Sequence, residues 1–443
     1  MRRGKSYGLF TTITMIVGIV VGSGIYFRAD DIFSYTNGNL LLALLVLAMG
    51  SICIIFGSLS LSQLSKRCDD RGGLVAYFEH FINKNMACGF GWFQLFVYVP
   101  AVAVVIAWAA AMYTFMLLGI KASFIGEIAL GLVYIGLLLL LNMYRKAWGG
   151  YLQNISTVVK LIPIALIVLY GIFFAEPVSL RSINGNTFGQ ELKELGWLSA
   201  LVPLTFSFDG WTIALHIAPE VKDPKRNMPL ALILSPLLIL GTYLLYIFGI
   251  TKILGSKAIL ELGDEAVFEA SKLILGDRLG NLILIFIVIS VLGVLNGLIL
   301  GGIRMPQALA EKNMIKDKGI SKIDERYGIS LKSAKVLFLL IIFWTIVHYF
   351  VTKYSLFNGR DISEISIVFS YLVYLLLYRA VWKVVKDEGF KLKILPVIAS
   401  LGSIFILIGS LIASPFYVSL FILICSLVTF CGYSYYGQGL QKN

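Results

Sequence analysis

The chain has 443 residues, of which 58% are hydrophobic and only 14% are charged, and its formal net charge is +12. A soluble domain of this size could not bury so much apolar surface, so the composition excludes a soluble protein and predicts an all-α, polytopic membrane protein. The basic residues lie between the apolar runs, which argues against a nucleic-acid partner.

Twelve apolar runs have the length and composition of transmembrane helices. They cover residues 9–33, 40–65, 88–118, 124–142, 153–175, 196–218, 229–252, 280–303, 333–352, 363–382, 394–413 and 415–436. The basic amino terminus leads into the first run without a small-residue cleavage site, which predicts a retained helix and not a signal peptide.

The positive residues predict an orientation in the membrane. With a cytoplasmic amino terminus, 26 of the 37 Lys and Arg residues fall in inside segments, 10 in outside segments and one, Lys160, within a span. Because cytoplasmic loops are enriched in these residues, we expect a cell-membrane protein with both termini in the cytoplasm. The outside loop 253–279 predicts a short amphipathic helix, either a lid or a passive cap.

The first span, Thr14 to Phe27, is interrupted by Gly22-Ser23-Gly24. Each glycine in a helix interior costs about 1 kcal/mol relative to alanine. Non-helical backbone at membrane depth survives only where protein or a water-filled cavity shields it. A break here would free N–H groups for an anion and carbonyl groups for a cation. The alternative is a face of small residues for close helix packing.

The sixth span contains a second interruption, at Pro203 and the Phe208-Asp209-Gly210-Trp211 turn. If the first ten spans are divided into two halves of five, spans one and six are the first span of each half. Interrupted helices at corresponding places in two halves indicate a transporter site between inverted repeats. Asp209 could carry a proton, bind substrate or cap the broken helix, and capping is the commonest of these roles.

Lys160 lies inside the fifth span. A charged side chain at a helix centre costs about 2.5–3.5 kcal/mol on insertion scales. It could snorkel to the cytoplasmic surface, or it could face the bundle and occupy the place of a coupling sodium ion, which we favour. The histidines His80, His216 and His348 and the five cysteines show no metal-binding spacing, so we expect no metal or cofactor. No catalytic arrangement points to an enzyme.

Four sequence motifs and the span-five lysine carry a family resemblance. The motifs are GSGIYF in span one, FDGW in span six, PEVKDPKRNMPLAL after it and GVLNGLILGGIRMPQALAEKNMI in span eight. This combination resembles the amino acid–polyamine–organocation superfamily. Within it, the chain is most similar to L-type amino-acid transporters and their bacterial serine/threonine- or alanine/serine-exchanging relatives. The resemblance covers about the first ten spans.

The resemblance implies a LeuT-like fold with discontinuous helices in spans one and six. The two inverted repeats of five helices would occupy residues 1–180 and 181–390, and spans eleven and twelve with the carboxyl-terminal tail would occupy 391–443. It also implies alternating access, in which spans one, two, six and seven move against spans three, four, eight and nine.

The resemblance further implies a set of site residues. The substrate carboxylate would bind three consecutive N–H groups, those of Gly22, Ser23 and Gly24, with help from the Ser23 hydroxyl. The α-ammonium would bind carbonyl groups of Val20, Phe206 and Asp209. Phe206 would close over the substrate as a gate. Lys160 would reach toward Gly18 and Ser290 in place of sodium, and Asn296 would help shape the pocket.

Three segments depart from the family pattern. At the end of span two, Ser62-Gln63-Leu64-Ser65 stands where relatives usually have a run with an acidic residue. In the loop that follows, residues 68–73 lack the usual proline. Both changes lie on the cytoplasmic side and could alter closure of the inner gate. The loop 119–126 has no cysteine, so we expect no disulfide-linked heavy chain. The oligomeric state stays open.

The leading hypothesis is a sodium-independent exchanger of small or medium neutral L-amino acids. A proton-coupled symporter and a non-transporting sensor or scaffold are the alternatives.

Overall fold

The computed structural model describes residues 8–68, 73–144, 156–175, 188–213, 221–324, 326–327, 329–356 and 361–440. Helices account for nearly all of these residues. Eleven helical segments in the described part are long and apolar enough to cross a membrane. The chain is therefore an all-helical, multi-pass membrane protein, as its composition predicts.

The first half of the chain contains nine α-helices in the described residues. They are α1 (Leu9–Val20), α2 (Ser23–Phe27), α3 (Ala29–Tyr35), α4 (Leu40–Ser65), α5 (Leu74–Phe81), α6 (Lys84–Phe93), α7 (Val99–Leu117), α8 (Phe124–Tyr144) and α9 (Leu161–Phe173). One turn of π-helix, Gln94–Tyr98, joins α6 to α7. The described residues 156–159 extend the fifth span ahead of α9.

The second half continues with eleven α-helices in the described residues. They are α10 (Phe188–Lys193), α11 (Leu201–Ser207), α12 (Pro224–Leu254), α13 (Ser256–Leu262), α14 (Ala266–Leu275), α15 (Asp277–Gly302), α16 (Arg304–Glu311), α17 (Leu331–Lys353), α18 (Ile362–Val384), α19 (Phe390–Ala413) and α20 (Pro415–Leu440). Short 3₁₀ turns cover Gly196–Ala200, Trp211–Ile213 and Gly263–Glu265.

The predicted sixth span differs from the other eleven. Its described part is a shorter apolar helix, Gly196–Ser207, followed by the turn Trp211–Ile213, and residues 214–220 lie outside the described part. The number of twelve complete spans is therefore not confirmed. Spans one and six are both interrupted, as predicted.

Spans three, eight and ten form the interior of the bundle. In the most apolar windows of the segments Lys84–Leu117 and Ile362–Val384, 83% and 71% of residues are buried, against 22% for Phe124–Met143 and 28% for Pro415–Gln438. The well-buried helices can support a site, whereas spans four and twelve turn most of their apolar surface outward, as helices facing lipid do.

The π-turn before α7 has a local cause in the sequence. Pro100 lacks the N–H group that would bond the carbonyl of Phe96, and the indole of Trp344 donates to that carbonyl at 2.7 Å. The Val99 N–H instead bonds the carbonyl of Gln94, five residues earlier. Tyr98 is the last residue of this wide turn, a kind of turn that is frequent at functional sites.

Candidate functional site between the two broken spans

The break in span one separates α1 from α2 at Val21 and Gly22. Gly22 has an extended backbone (φ 177°), and α2 starts at Ser23. The first N–H groups of a helix cannot bond a carbonyl of their own helix, so those of Ser23 and Gly24 are available to a ligand or to water. The Ser23 side chain lies outside the described part.

Gly24 brings the two broken spans into contact. A Cβ atom on Gly24 would collide with the backbone of Ser207, which ends α11, and would lie 3.2 Å from its carbonyl carbon. The Ser207 hydroxyl donates to the Gly24 carbonyl at 2.8 Å. The glycine is therefore required by close approach to span six.

The break in span six begins at Phe208, the residue after Ser207. The Phe208 N–H bonds the Leu204 carbonyl at 3.0 Å, and the Asp209 N–H bonds the Phe206 carbonyl at 3.1 Å. Gly210 then takes a positive φ of 97°, a conformation that favours glycine. The helix ends because this turn redirects the chain.

Tyr243 of α12 connects the two breaks. Its hydroxyl lies 2.7 Å from the Ser207 carbonyl and 3.2 Å from the Val20 carbonyl. A hydroxyl has only one proton to donate, so it bonds one of these carbonyls at a time. The sequence did not predict a role for Tyr243, because a tyrosine inside a membrane-spanning helix fits the apolar pattern like any other hydrophobic residue.

A cavity opens beside the two breaks. It contains about 410 Å³ of space that no protein atom fills, part of it open to solvent. The lining residues are Ile19, Val20, Gly24, Tyr98, Val102, Ile106, Phe206, Asp209, Gly210, Val294 and Leu298. Four of the predicted substrate-binding residues thus line one cavity: Val20, Gly24, Phe206 and Asp209.

The cavity wall has two polar side chains, and they are bonded to each other. The Tyr98 hydroxyl donates to the Asp209 carboxylate at 2.5 Å. The remaining wall side chains are aliphatic or aromatic. The Tyr98 partner was not anticipated from the sequence, although the nearby Pro100 signals the irregular helix that presents it.

Lys160 touches both halves of span one. Its ammonium group donates to the Gly18 carbonyl in α1, and its backbone carbonyl accepts a bond from the Tyr26 hydroxyl in α2 at 3.0 Å. The residue is fully buried. Its side chain therefore points into the bundle and not to the membrane surface.

Ser290 and Asn296 lie on α15 and are both fully buried. In the part of the chain that the structure describes, the Ser290 hydroxyl has no hydrogen-bond partner. The Asn296 amide oxygen accepts from the Asn142 amide at 2.8 Å. Val294 and Leu298 are the residues of this helix that line the cavity.

Two of the carbonyl groups predicted to hold the α-ammonium already have donors nearby. Val20 faces the Tyr243 hydroxyl, and Phe206 accepts the Asp209 N–H. Each carbonyl oxygen has two lone pairs, so a second donor can still bind.

An ion-pair cluster lies next to Phe206. The guanidinium of Arg28 lies 4.8 Å from the centre of the Phe206 ring. It also contacts carboxylates of Asp31, Asp361 and Glu364. Sequence reasoning counted Arg28 only as a loop charge, because its partners on α18 are more than three hundred positions away.

Other predicted features fall outside the described residues. They include His216 and Glu220, where the chain leaves span six, and residues 69–72 of the loop after the second span. Among the described residues, no group of three potential metal-ligating side chains comes together.

Comparison with known proteins places the chain in a family. A family model for amino acid permeases matches residues 7–434. The chain belongs to the amino acid permease family. It is therefore a transporter of the amino acid–polyamine–organocation superfamily and not an enzyme.

Individual relatives of this permease are amino-acid transporters. The serine/threonine exchanger SteT of Bacillus subtilis is 26% identical over 436 residues, which cover 95% of this chain and 94% of that protein. The b(0,+)-type amino acid transporter 1 of Homo sapiens is 26% identical over 302 residues, 66% of this chain and 60% of that protein. The human cystine/glutamate transporter is 25% identical over 304 residues, 65% of this chain and 58% of that protein.

Proposed function

We propose that this permease is a sodium-independent, obligatory exchanger of small or medium neutral L-amino acids. The observation that carries the proposal is the contact between the buried Lys160 ammonium and the Gly18 carbonyl, beside the break in span one. Unwound carbonyls near a broken helix are the ligands that a coupling cation uses in transporters. A lysine fixed on one of them supplies the positive charge without sodium.

The geometry of the breaks supports a zwitterionic substrate. The N–H groups at Ser23 and Gly24 can accept a carboxylate at the start of α2, and the carbonyl groups of Val20 and Asp209 can accept an ammonium across the cavity. A free amino acid carries both groups a few ångströms apart. Phe206 lies in the cavity wall, where it can close over the substrate.

The lining of the cavity favours a neutral side chain. Its two polar side chains, Tyr98 and Asp209, bond each other, and the others are apolar. The similarity to SteT, the serine/threonine exchanger of Bacillus subtilis, extends over 95% of this chain. This likeness supports small hydroxyl-bearing amino acids as the first candidates.

We propose that both termini are cytoplasmic, on the positive-residue asymmetry. The Arg28 end of the bundle is then external. We further propose that the protein works without a disulfide-linked heavy chain. The loop 119–126 has no cysteine, and each of the five cysteines, all of which lie in described residues, is a free thiol.

Uptake into proteoliposomes tests the proposal. Labelled amino acids are offered to vesicles that are empty or preloaded with unlabelled amino acid, with and without sodium. We expect uptake only into preloaded vesicles, independent of sodium. Uptake into empty vesicles driven by an inward proton gradient would replace the exchanger with a proton symporter. Binding of an amino acid without flux would instead identify a sensor on the same fold, and the exchanger would be rejected.

A further inference from the structure

The connection between spans eight and nine carries an excess of positive charge. Residues 312–335, which join α16 to α17 and include the first turn of α17, form what we call the basic segment. They contain seven Lys or Arg residues and three Asp or Glu residues. The orientation proposed above places this segment on the cytoplasmic side of the membrane.

The basic segment is fixed at the level of the membrane surface. Met314 is fully buried, and its carbonyl accepts bonds from the Trp92 indole at 2.7 Å and from the Cys88 thiol at 3.2 Å. Both donors belong to α6, at the start of span three. Lys312 forms an ion pair with Glu79 of α5, and span nine begins within the segment. The segment therefore stays where spans three, eight and nine leave the membrane.

The two described acids of the segment are engaged with their own backbone. The Asp317 carboxylate accepts the N–H groups three and four residues further on, at 2.7 and 3.1 Å. The Asp324 carboxylate accepts the N–H groups two and three residues further on, at 2.9 and 3.2 Å. Neither acid forms an ion pair with a described Lys or Arg side chain. They close two turns and do not pair with the lysines beside them.

The basic side chains of the segment face outward. Six are exposed: Lys316, Lys318, Lys322, Arg326, Lys332 and Lys335. In the part of the chain that the structure describes, none of the six forms an ion pair. The Lys332 ammonium donates to the Lys318 carbonyl at 2.5 Å, so residues from the two ends of the segment lie side by side. Charges of one sign gathered on one surface attract an anion.

An apolar side chain accompanies these charges. Ile323 follows Lys322 directly and is 50% exposed. Basic residues combined with exposed apolar residues bind at the boundary between lipid headgroups and acyl chains. A soluble anion would use the lysines but would gain nothing from Ile323. The combination, on a segment fixed at the membrane surface, therefore favours a lipid as the ligand.

We propose that the basic segment is a binding surface for anionic phospholipids, with three lysines at the headgroup phosphates and Ile323 at the start of the acyl chains. The three are Lys318, Lys322 and Lys332. Anionic lipids give the cytoplasmic leaflet its negative surface potential, and only the choice of leaflet depends on the proposed orientation. Each lysine near such a surface strengthens binding about fivefold, so three provide a preference of about a hundredfold over a zwitterionic lipid.

Lipid binding to the purified permease tests this surface without any assumption about transport. Native mass spectrometry in a nonionic detergent compares phosphatidylglycerol with phosphatidylcholine of the same acyl chains. We expect the wild-type chain to bind phosphatidylglycerol more tightly by about tenfold or more. A double variant, Lys318→Gln with Lys322→Gln, should lose about tenfold or more of this preference. Lys318→Arg with Lys322→Arg keeps both charges and should retain it. Gel filtration confirms that each variant is folded.

A second pair of lysines is the matched control. Lys383 and Lys386 are exposed near the end of α18, in another connection that the proposed orientation makes cytoplasmic. Lys383→Gln with Lys386→Gln removes the same charge, and we expect it to leave the lipid preference nearly unchanged. An equal loss in the two double variants would show a general effect of net charge and would overturn the assignment to the basic segment.

Hydrogen exchange in nanodiscs locates the contact. The amide groups of residues 316–323 should exchange several-fold more slowly in phosphatidylglycerol nanodiscs than in phosphatidylcholine nanodiscs. Glycerol phosphate, which offers the phosphate without acyl chains, should not reproduce this slowing in phosphatidylcholine. If it does, the segment binds free phosphate compounds and the lipid proposal is wrong. Equal exchange in the two nanodiscs, with equal binding of the two lipids, would reject the surface, whatever the transport assays show.

Discussion

Replacing Lys160 by methionine separates a transport role of its charge from a structural one. Methionine keeps most of the length and apolar volume of the lysine stem but has no ammonium to donate to the Gly18 carbonyl. The Tyr26 hydroxyl still has its acceptor, because that bond goes to the backbone carbonyl of residue 160. The substitution therefore removes one bond and one buried charge.

The expected change in stability is small because two terms oppose each other. A charge at the centre of a membrane helix costs about 2.5–3.5 kcal/mol. A hydrogen bond to a charged group contributes about 1.5–3 kcal/mol. The midpoints of these two ranges differ by about 1 kcal/mol, so we expect Lys160→Met to change the melting temperature by only about 2 °C.

The expected change in transport is large. If the Lys160–Gly18 contact stabilises the step between inward- and outward-facing states, its loss raises that barrier by about 1.5–3 kcal/mol. Since each 1.4 kcal/mol corresponds to a factor of ten, the exchange rate should fall by roughly ten- to a hundredfold.

The assay combines thermal unfolding in detergent with exchange in proteoliposomes. Ser414→Ala is the control, because it removes a buried hydroxyl that has no partner in the described residues and that lies between spans eleven and twelve, and it should leave both quantities near wild type. A Lys160→Met variant that unfolds many degrees earlier would make the lysine structural. A stable variant with wild-type exchange would refute the reasoning about its charge.

Three further substitutions test the geometry of the breaks and of the outer loop. Tyr243→Phe removes the hydroxyl next to Ser207 and should weaken binding of the exchanged amino acid several-fold, by about 1 kcal/mol, measured by equilibrium binding; unchanged affinity would show that Tyr243 does not position the site. Gly24→Ala forces a methyl group onto the Ser207 backbone and should abolish exchange, with about 1–3 kcal/mol of lost stability; a stable, active variant would contradict the observed close approach. Burial and the neighbouring Asp30 raise the pKa of Asp264 to about 7, so the folded protein holds a proton there that the unfolded chain releases near pH 4. Its stability should then fall as the pH rises from about 4 to about 7, and Asp264→Asn should flatten that slope in thermal unfolding; an unaltered slope would exclude Asp264 as its source.

Features that disturb an apolar run were predictable from the sequence. Gly22, Gly24, Asp209 and Lys160 each interrupt the apolar pattern of a membrane span. In the structure Gly24 and Asp209 line one cavity, Gly22 lies at the break in span one, and Lys160 contacts span one at Gly18. The breaks in spans one and six were found in this way because backbone groups in a membrane need partners.

Contacts between distant parts of the chain were not predictable. Tyr98 and Asp209 are 111 positions apart, and Arg28 and Asp361 are 333 apart. Tyr98 reads as part of an apolar run. Asp361 and Glu364 read as the capping pattern that begins a helix, which concealed their second role as partners of Arg28. The number of complete spans also depended on where span six resumes, which the apolar pattern alone does not define.

A structure of the permease in a lipid nanodisc, with the most rapidly exchanged amino acid at saturating concentration, tests the central claim most directly. We predict that the substrate carboxylate lies within hydrogen-bond distance of the N–H groups of Ser23 and Gly24. Its ammonium should face the Val20 carbonyl, with Phe206 closed over it. Density for the amino acid at any other place, with the cavity between the two broken spans empty, would contradict the account.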